Sequence, residues 1–148
     1  MDEEIERTQA WLEMQQAIWL IRTTLSDRVE EEAGMTLSEH DALWQLANNV
    51  DRRMTMSALA ERAMVTRSGA TRLVDRLTKK GWVRREPSTE SRRVTYVALT
   101  TEGVKAVRQS TQALARHQGE LFDDRLTDSD VADLRRVLGK LLRRLDLV

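Results

Sequence analysis

Thr66, Arg67, Ser68 and Thr71 head the stretch TRSGATRLVDRLTKKGWVRRE. Their chemistry suits hydrogen bonding to base edges. A planar guanidinium can pair bidentately with guanine, while small hydroxylic side chains permit close approach of a backbone to a groove floor. Arg72, Arg76 and Lys79 follow. Cations in that position suit phosphate oxygens, which fix register and carry no sequence information. Further on, Arg92 and Arg93 lie beside the turn PSTES. An arginine at the tip of a β-wing can enter a minor groove, where narrow A·T-rich duplex focuses negative potential. Arg93 is expected in that role, with Arg92 as a phosphate contact or its alternate.

The charge distribution agrees. Lys plus Arg and Asp plus Glu both total 24, so the chain is formally neutral. Arg62 to Arg93, however, holds ten cations against Asp75, Glu86 and Glu90, a net of +7 that the remainder offsets with −7. Such a polarised chain carries the electrostatic footprint of a polyanion binder. The rival reading is a winged-helix interaction or structural adaptor whose basic face docks an acidic protein without operator specificity. Thr66, Ser68 and Thr71 discriminate, since they suit groove reading and have no evident use on a purely electrostatic surface.

Other chemistries find no support. The absence of cysteine excludes disulfides, thiolate metal sites and thiol-based peroxide sensing. His40 and His117 stand far apart with no further histidine at helical spacing, so no metal site is expected. No hydroxyl nucleophile sits beside an evident base, and neither a phosphate-cradling glycine loop nor a paired-carboxylate motif occurs. The expectation is a non-enzyme without cofactor. The opening MDEEIERTQAW is acidic, and no apolar run reaches the roughly 20 residues that span a bilayer. A cytoplasmic protein with no membrane association is expected.

The elements that must position these residues can be read from apolar spacing. Glu3 to Glu32 carries Trp11, Met14, Ile18, Ile21, Leu25 and Val29 at intervals of three and four, with Leu12 and Trp19 as a second stripe, and Gly34 ends it. A second helix begins in MTLSEHDALWQLA with Thr36 or Ser38 as cap, and its Leu43, Leu46 and Ala47 face a core. NNVDRR reads as a loop, and a short helix capped by Thr55 follows. Ala70, Leu73, Val74 and Leu77 mark the buried face of a helix capped by Thr66 and stopped by Gly81, leaving the polar and cationic residues outward. WVRRE and VTYVAL flank PSTES as a hairpin. Three short helices followed by a hairpin make a winged helix-turn-helix. From Thr101 the pattern is helical again. Thr127 and Asp130 are spaced as a capping box before the stripe Val131, Leu134, Leu138, Leu141 and Leu145. The end helices hold more apolar surface than the small module can cover, which implies a partner.

TRSGATRLVDRLTKKGWVRREP followed by SRRVTYVALTTEG resembles the recognition helix and wing of the MarR family of bacterial transcription regulators, and MTLSEHDALWQLA and MTMSALAERAMV resemble that family's preceding helices. The run from Arg72 to Leu77, then Gly81, Leu99, Thr100 and Gly103, falls at family spacing. The resemblance covers essentially the whole chain. It implies a homodimer that carries two winged modules on a helical base, binds a pseudo-palindromic operator in double-stranded DNA, and responds to a small aromatic or phenolic effector bound between module and base. Ser91 departs from the pattern: the family usually has Asp two residues before the wing-tip arginine, and here Glu90 is the neighbouring carboxylate that would substitute.

The fold class expected is therefore mainly α with a small β-hairpin, a winged helix-turn-helix module on a helical dimerisation base. Residues 1–34 form an N-terminal dimerisation helix, 35–100 the DNA-binding module and 101–148 C-terminal dimerisation helices. Trp11 is expected to pack at the dimer base and Trp82 to cover the small core. Trp19, Trp44 and His40 would wall an effector pocket, with Arg22 meeting a carboxylate. A repressor is expected rather than an activator. Half-sites one helical turn apart imply an inverted repeat of about 16 to 20 base pairs.

Overall fold

The computed structural model describes the backbone of residues 2–145 and the side chains of residues 3–143. The Leu145 side chain, expected to end the last apolar stripe, lies outside the described residues, as do residues 146–148. The chain forms two compact units, Met1–Leu114 and Ala115–Val148.

The first unit opens with α1, Asp2–Ala33, which ends where Gly34 adopts φ +62°. Only Val29 of its expected main stripe is fully buried; Met14, Ile21 and Leu25 are half-buried, while Trp11, Leu12, Ile18, Trp19 and Leu20 remain exposed. The cap of α2, Leu37–Ala47, is Thr36, through a capping box in which Glu39 N–H donates to the Thr36 hydroxyl at 3.2 Å and Thr36 N–H to the Glu39 carboxylate at 3.1 Å. Leu37, Ala42, Leu43 and Leu46 form its buried face.

The expected loop NNVDRR contains more structure than its composition suggests. A single 3₁₀ turn, Val50–Arg52, leads into β1, Arg53–Thr55, which pairs antiparallel with β3, Thr95–Leu99. The wing is therefore a three-stranded sheet of order β1-β3-β2, with β2 spanning Val83–Pro87, instead of a two-stranded hairpin. A three-residue strand is too short to show alternation, and only its long-range pairing stabilises it. In register, Met54 and Arg85 both oppose Val97, and Val83 opposes Leu99. Met54, Val83, Val97 and Leu99 are buried in the core with Met35, Leu43, Leu46, Leu59, Leu73, Val74, Leu77 and Val107. The other face carries Arg53, which pairs with Glu86 at 3.6 Å and lies 4.7 Å from the Tyr96 ring centroid.

The helix α3, Met56–Arg62, is capped by Thr55, and α4, Arg67–Lys79, by Thr66, whose hydroxyl accepts from Gly69 N–H at 3.0 Å. Gly81 terminates α4 at φ +74°, a conformation cheap only for glycine. Trp82 is half-buried against the core. The helix α5, Thr101–Leu121, starts at the end of β3, with Gly103 so close to the Trp82 carbonyl that a Cβ there would overlap it.

The second unit holds the end of α5, a 3₁₀ turn at Asp123–Arg125 and α6, Asp128–Leu145. Thr127 and Asp130 form the expected box: Thr127 N–H donates to the carboxylate at 2.9 Å, and Asp130 N–H donates to the threonine hydroxyl at 3.2 Å. Hydrogen bonds from the Thr127 hydroxyl and amide hold the Asp130 carboxyl below its ordinary pKa. Val131 and Leu134 are half-buried on α6, and Val137, Leu138, Leu141 and Leu142 are exposed. Among the described residues, no helix is long and apolar enough to cross a membrane.

Candidate nucleic-acid interface

The helices α3 and α4 are joined by a tight turn in which Val65 N–H donates to the Ala60 carbonyl at 3.0 Å. Met64, at the turn's apex, takes φ +53° and is 89% exposed. Ala70, Leu73, Val74 and Leu77 are buried against the module core, so the opposite face of α4 turns outward. Thr66, Arg67, Ser68, Thr71, Arg72, Arg76 and Lys79 all stand on that exposed face. The hydroxyls are not equally free. Thr66 is engaged as cap and lies 3.2 Å from the Ser68 hydroxyl, and the Thr71 hydroxyl donates back to the Arg67 carbonyl at 3.1 Å. Each retains acceptor capacity toward a ligand.

The ten cations of this stretch divide into two groups. Four have carboxylate partners. Arg84 pairs with Glu86 at 2.8 Å and Arg85 with Asp75 at 2.6 Å, while Lys80 and Arg76 approach Glu39 at 2.7 and 3.5 Å. Among the described residues, Arg62, Arg67, Arg72, Lys79, Arg92 and Arg93 form no ion pair. The unpaired set contains every expected DNA-contacting cation except Arg76, which remains half-exposed while leaning on Glu39. A surface that keeps cations unpaired leaves them available to an external polyanion, without an internal partner to displace.

At the wing tip, Glu90 forms no ion pair with Arg93 among the described residues. The loop is closed instead by hydroxyls. Ser88 accepts from the Glu90 and Ser91 amides at 3.2 and 3.3 Å, and Ser91 accepts from Arg93 N–H at 3.4 Å. Ser91 thus acts on the backbone of Arg93 while the guanidinium stays exposed.

The four residues expected to wall an effector pocket do not line one recess together. Trp44, half-exposed on α2, lines a recess of about 330 Å³ with Ala47, Asn48 and Arg52 and with Val104, Val107, Arg108, Thr111 and Gln112 of α5. Trp19, Arg22 and His40 are absent from its lining. Trp19 is 64% exposed, and Arg22 lies 3.9 Å from Asp41. His40 is buried with its Nδ1 at 2.8 Å from the Ser110 hydroxyl, which itself donates to the Val107 carbonyl at 3.1 Å. Burial lowers the His40 pKa, and the neighbouring Asp41 opposes this.

Two features escaped the sequence reading. The buried carboxylate of Glu39 was signalled only by its place three residues after Thr36, the capping-box spacing. Arg52 and Arg108 meet at the recess from positions with no local signal, because their proximity depends on how α5 packs on α2.

Comparison with known proteins bears on this geometry. Over 95% of its length the chain superposes on a MarR family transcriptional regulator of Streptomyces coelicolor crystallised in complex with DNA, covering 86% of that protein with a TM-score of 0.85 and 30% identity. The chain belongs to the MarR family. The MarR family model matches residues 33–94, from the end of α1 to the wing tip. The multiple antibiotic resistance protein MarR of Escherichia coli is 38% identical over 72 residues, 49% of this chain and 50% of that protein. A transcriptional regulatory protein named for the hcr operon of Thauera aromatica is 33% identical over 111 residues, 75% of this chain. The chain thus spans 65% of the Thauera relative and half of the Escherichia coli one. Its fold is that of the family, mainly helical with a three-stranded antiparallel wing sheet.

Proposed function

We propose that this MarR family member is a sequence-specific DNA-binding repressor that occupies a pseudo-palindromic operator as a homodimer and is released by a small aromatic or phenolic effector. The observation that carries this reading is the unpaired set Arg67, Arg72, Lys79, Arg92 and Arg93 arrayed with Thr66, Ser68 and Thr71 on one exposed helix and its wing. The α4 N-terminus enters the major groove, where Arg67, Ser68 and Thr71 meet base edges. Arg72, Arg76 and Lys79 hold phosphates, and Arg93 reaches the flanking minor groove with Arg92 on the backbone. The Streptomyces relative's complex with DNA supports the same use of the fold.

Dimerisation would cover the apolar side chains that α1 and α6 each leave exposed, Trp11, Leu12, Ile18 and Trp19 on the first and Val137, Leu138, Leu141 and Leu142 on the second. Effector binding takes the recess beside Trp44, whose indole and the guanidinium groups of Arg52 and Arg108 suit a flat anion. Such a ligand weakens operator binding only to the extent that it prefers the conformation incompetent for DNA.

Selection of bound duplexes from a random library at about 0.15 M salt tests the reading, since that salt limits counterion-driven background. An inverted repeat with half-sites one helical turn apart is expected. Failure of a folded, dimeric protein to enrich any motif would favour an acidic protein partner for the basic face.

A further inference from the structure

Glu39 is 2% exposed, and its carboxylate serves three partners at once. Within α2 it accepts from Thr36 N–H at 3.1 Å. From the end of α4, Lys80 Nζ donates to its Oε2 at 2.7 Å, and Arg76 Nε lies 3.5 Å from its Oε1. Lys80 also donates to the Gly34 carbonyl at 2.9 Å and stands 4.6 Å from the Trp82 ring centroid. One buried anion and one half-exposed ammonium therefore join the exit of α1, the entry of α2, the exit of α4 and the entry of the wing.

A helix cap alone does not need this arrangement. A capping carboxylate ordinarily sits in water, whereas a buried one is retained only where its partners compensate the loss of hydration. Here the compensating cations both come from the recognition helix, so the carboxylate and that helix are mutually dependent. We infer that Glu39 and Lys80 are positioning residues for DNA reading, a lock that sets the angle of α4 against the α1–α2 corner and so determines whether Thr66, Arg67, Ser68 and Thr71 meet the bases in register. The inference rests on the DNA-binding reading above. Neither residue touches DNA in this account. Lys80 contributes through Glu39, Gly34 and Trp82, and its cation is withheld from the phosphates that Arg72 and Lys79 serve.

The test compares Glu39→Gln, Lys80→Met and Lys80→Arg with the wild type on the selected operator and on a random duplex, at a temperature well below each variant's unfolding transition. Glutamine retains an oxygen for the Thr36 amide, and methionine retains an aliphatic stem over Trp82, so the caps and packing persist. The first two substitutions change net charge in opposite directions. Both are nevertheless expected to reduce the operator-to-random affinity ratio by about tenfold, comparable to one misaligned base contact per half-site. Lys80→Arg restores most of the ratio. Because Lys80 is itself half-exposed, Lys80→Met remains informative if Glu39→Gln fails to fold.

A merely electrostatic role gives the opposite pattern, in which Glu39→Gln strengthens and Lys80→Met weakens binding to both duplexes alike; that result, or an unchanged ratio in both variants, overturns the inference. A wild-type protein with no preference between the duplexes overturns the DNA-reading proposal itself, and the lock falls with it.

Discussion

The Thr100 hydroxyl donates to the Gly81 carbonyl at 2.7 Å and accepts from Gly103 N–H at 3.0 Å, so one side chain caps α5 and fastens the glycine that ends the recognition helix. Thr100 N–H donates to the Trp82 carbonyl at 3.0 Å, and Gly103 packs against that same carbonyl. The spacing of Gly81, Thr100 and Gly103 that carries the family resemblance is thus one physical joint between α4, β3 and α5.

This joint predicts that Gly103→Ala destabilises the protein by about 3 kcal/mol, near the upper end for overpacking, because the obstacle is backbone and cannot rotate away. Thr100→Val, which keeps the shape and removes both hydrogen bonds, should cost about 1 to 2 kcal/mol. Chemical denaturation of both variants provides the check. An alanine variant as stable as wild type would mean that α5 and the Trp82 backbone separate without cost, contrary to the close approach described.

Met64 predicts the opposite sign. Its φ of +53° is a left-handed conformation that a residue with a Cβ pays for, and its side chain is 89% exposed with no core contact to lose. Met64→Gly should therefore stabilise the fold by about 1 kcal/mol, the local relief exceeding the added freedom of the unfolded chain. A thermal melt in which the glycine variant unfolds earlier would show that the thioether makes a contact worth more than the backbone strain.

His40 predicts a pH dependence. Burial lowers its folded pKa below the ordinary 6.5, so just below that pH the folded state binds fewer protons than the unfolded chain. Stability is then fully present above about 6.5 and is lost as pH falls from there through the lowered folded value. His40→Asn, which can place an amide near the Nδ1 position facing Ser110, should flatten this part of the profile. The comparison requires unfolding free energies of both proteins between about pH 7 and 5, bracketing the ordinary histidine value. Parallel profiles would assign the acid sensitivity to other groups.

These sites also mark how far the sequence could be read. Caps and stops were legible because they are local: Thr55, Thr66, Gly34, Gly81 and the Thr127–Asp130 box each depend on residues within one turn. The four buried positions of α4 followed from helical period alone. The strand Arg53–Thr55 was not legible, since three residues carry no period and its pairing partner lies more than forty residues away. His40 illustrates the same limit at the side-chain level. Beside Trp44 it resembled a pocket residue, but Ser110, seventy positions on, takes its Nδ1 into the interior. Likewise Arg76 read as a phosphate contact no different from Arg72 and Lys79 until the fold brought it to 3.5 Å from the Glu39 carboxylate.

The proposed division of labour on α4 makes Arg67 specifying and Lys79 positioning. It is tested most directly by measuring affinities of Arg67→Ala and Lys79→Ala for the selected operator and for a random duplex across a salt series. Arg67→Ala should lose about 1 to 3 kcal/mol on the operator, relax the base preference at one position per half-site and change random binding much less. Lys79→Ala should weaken both duplexes alike and reduce the salt slope by about one per subunit. If the two variants instead lose the same affinity on both duplexes with the same salt slope, α4 does not read sequence in the manner described.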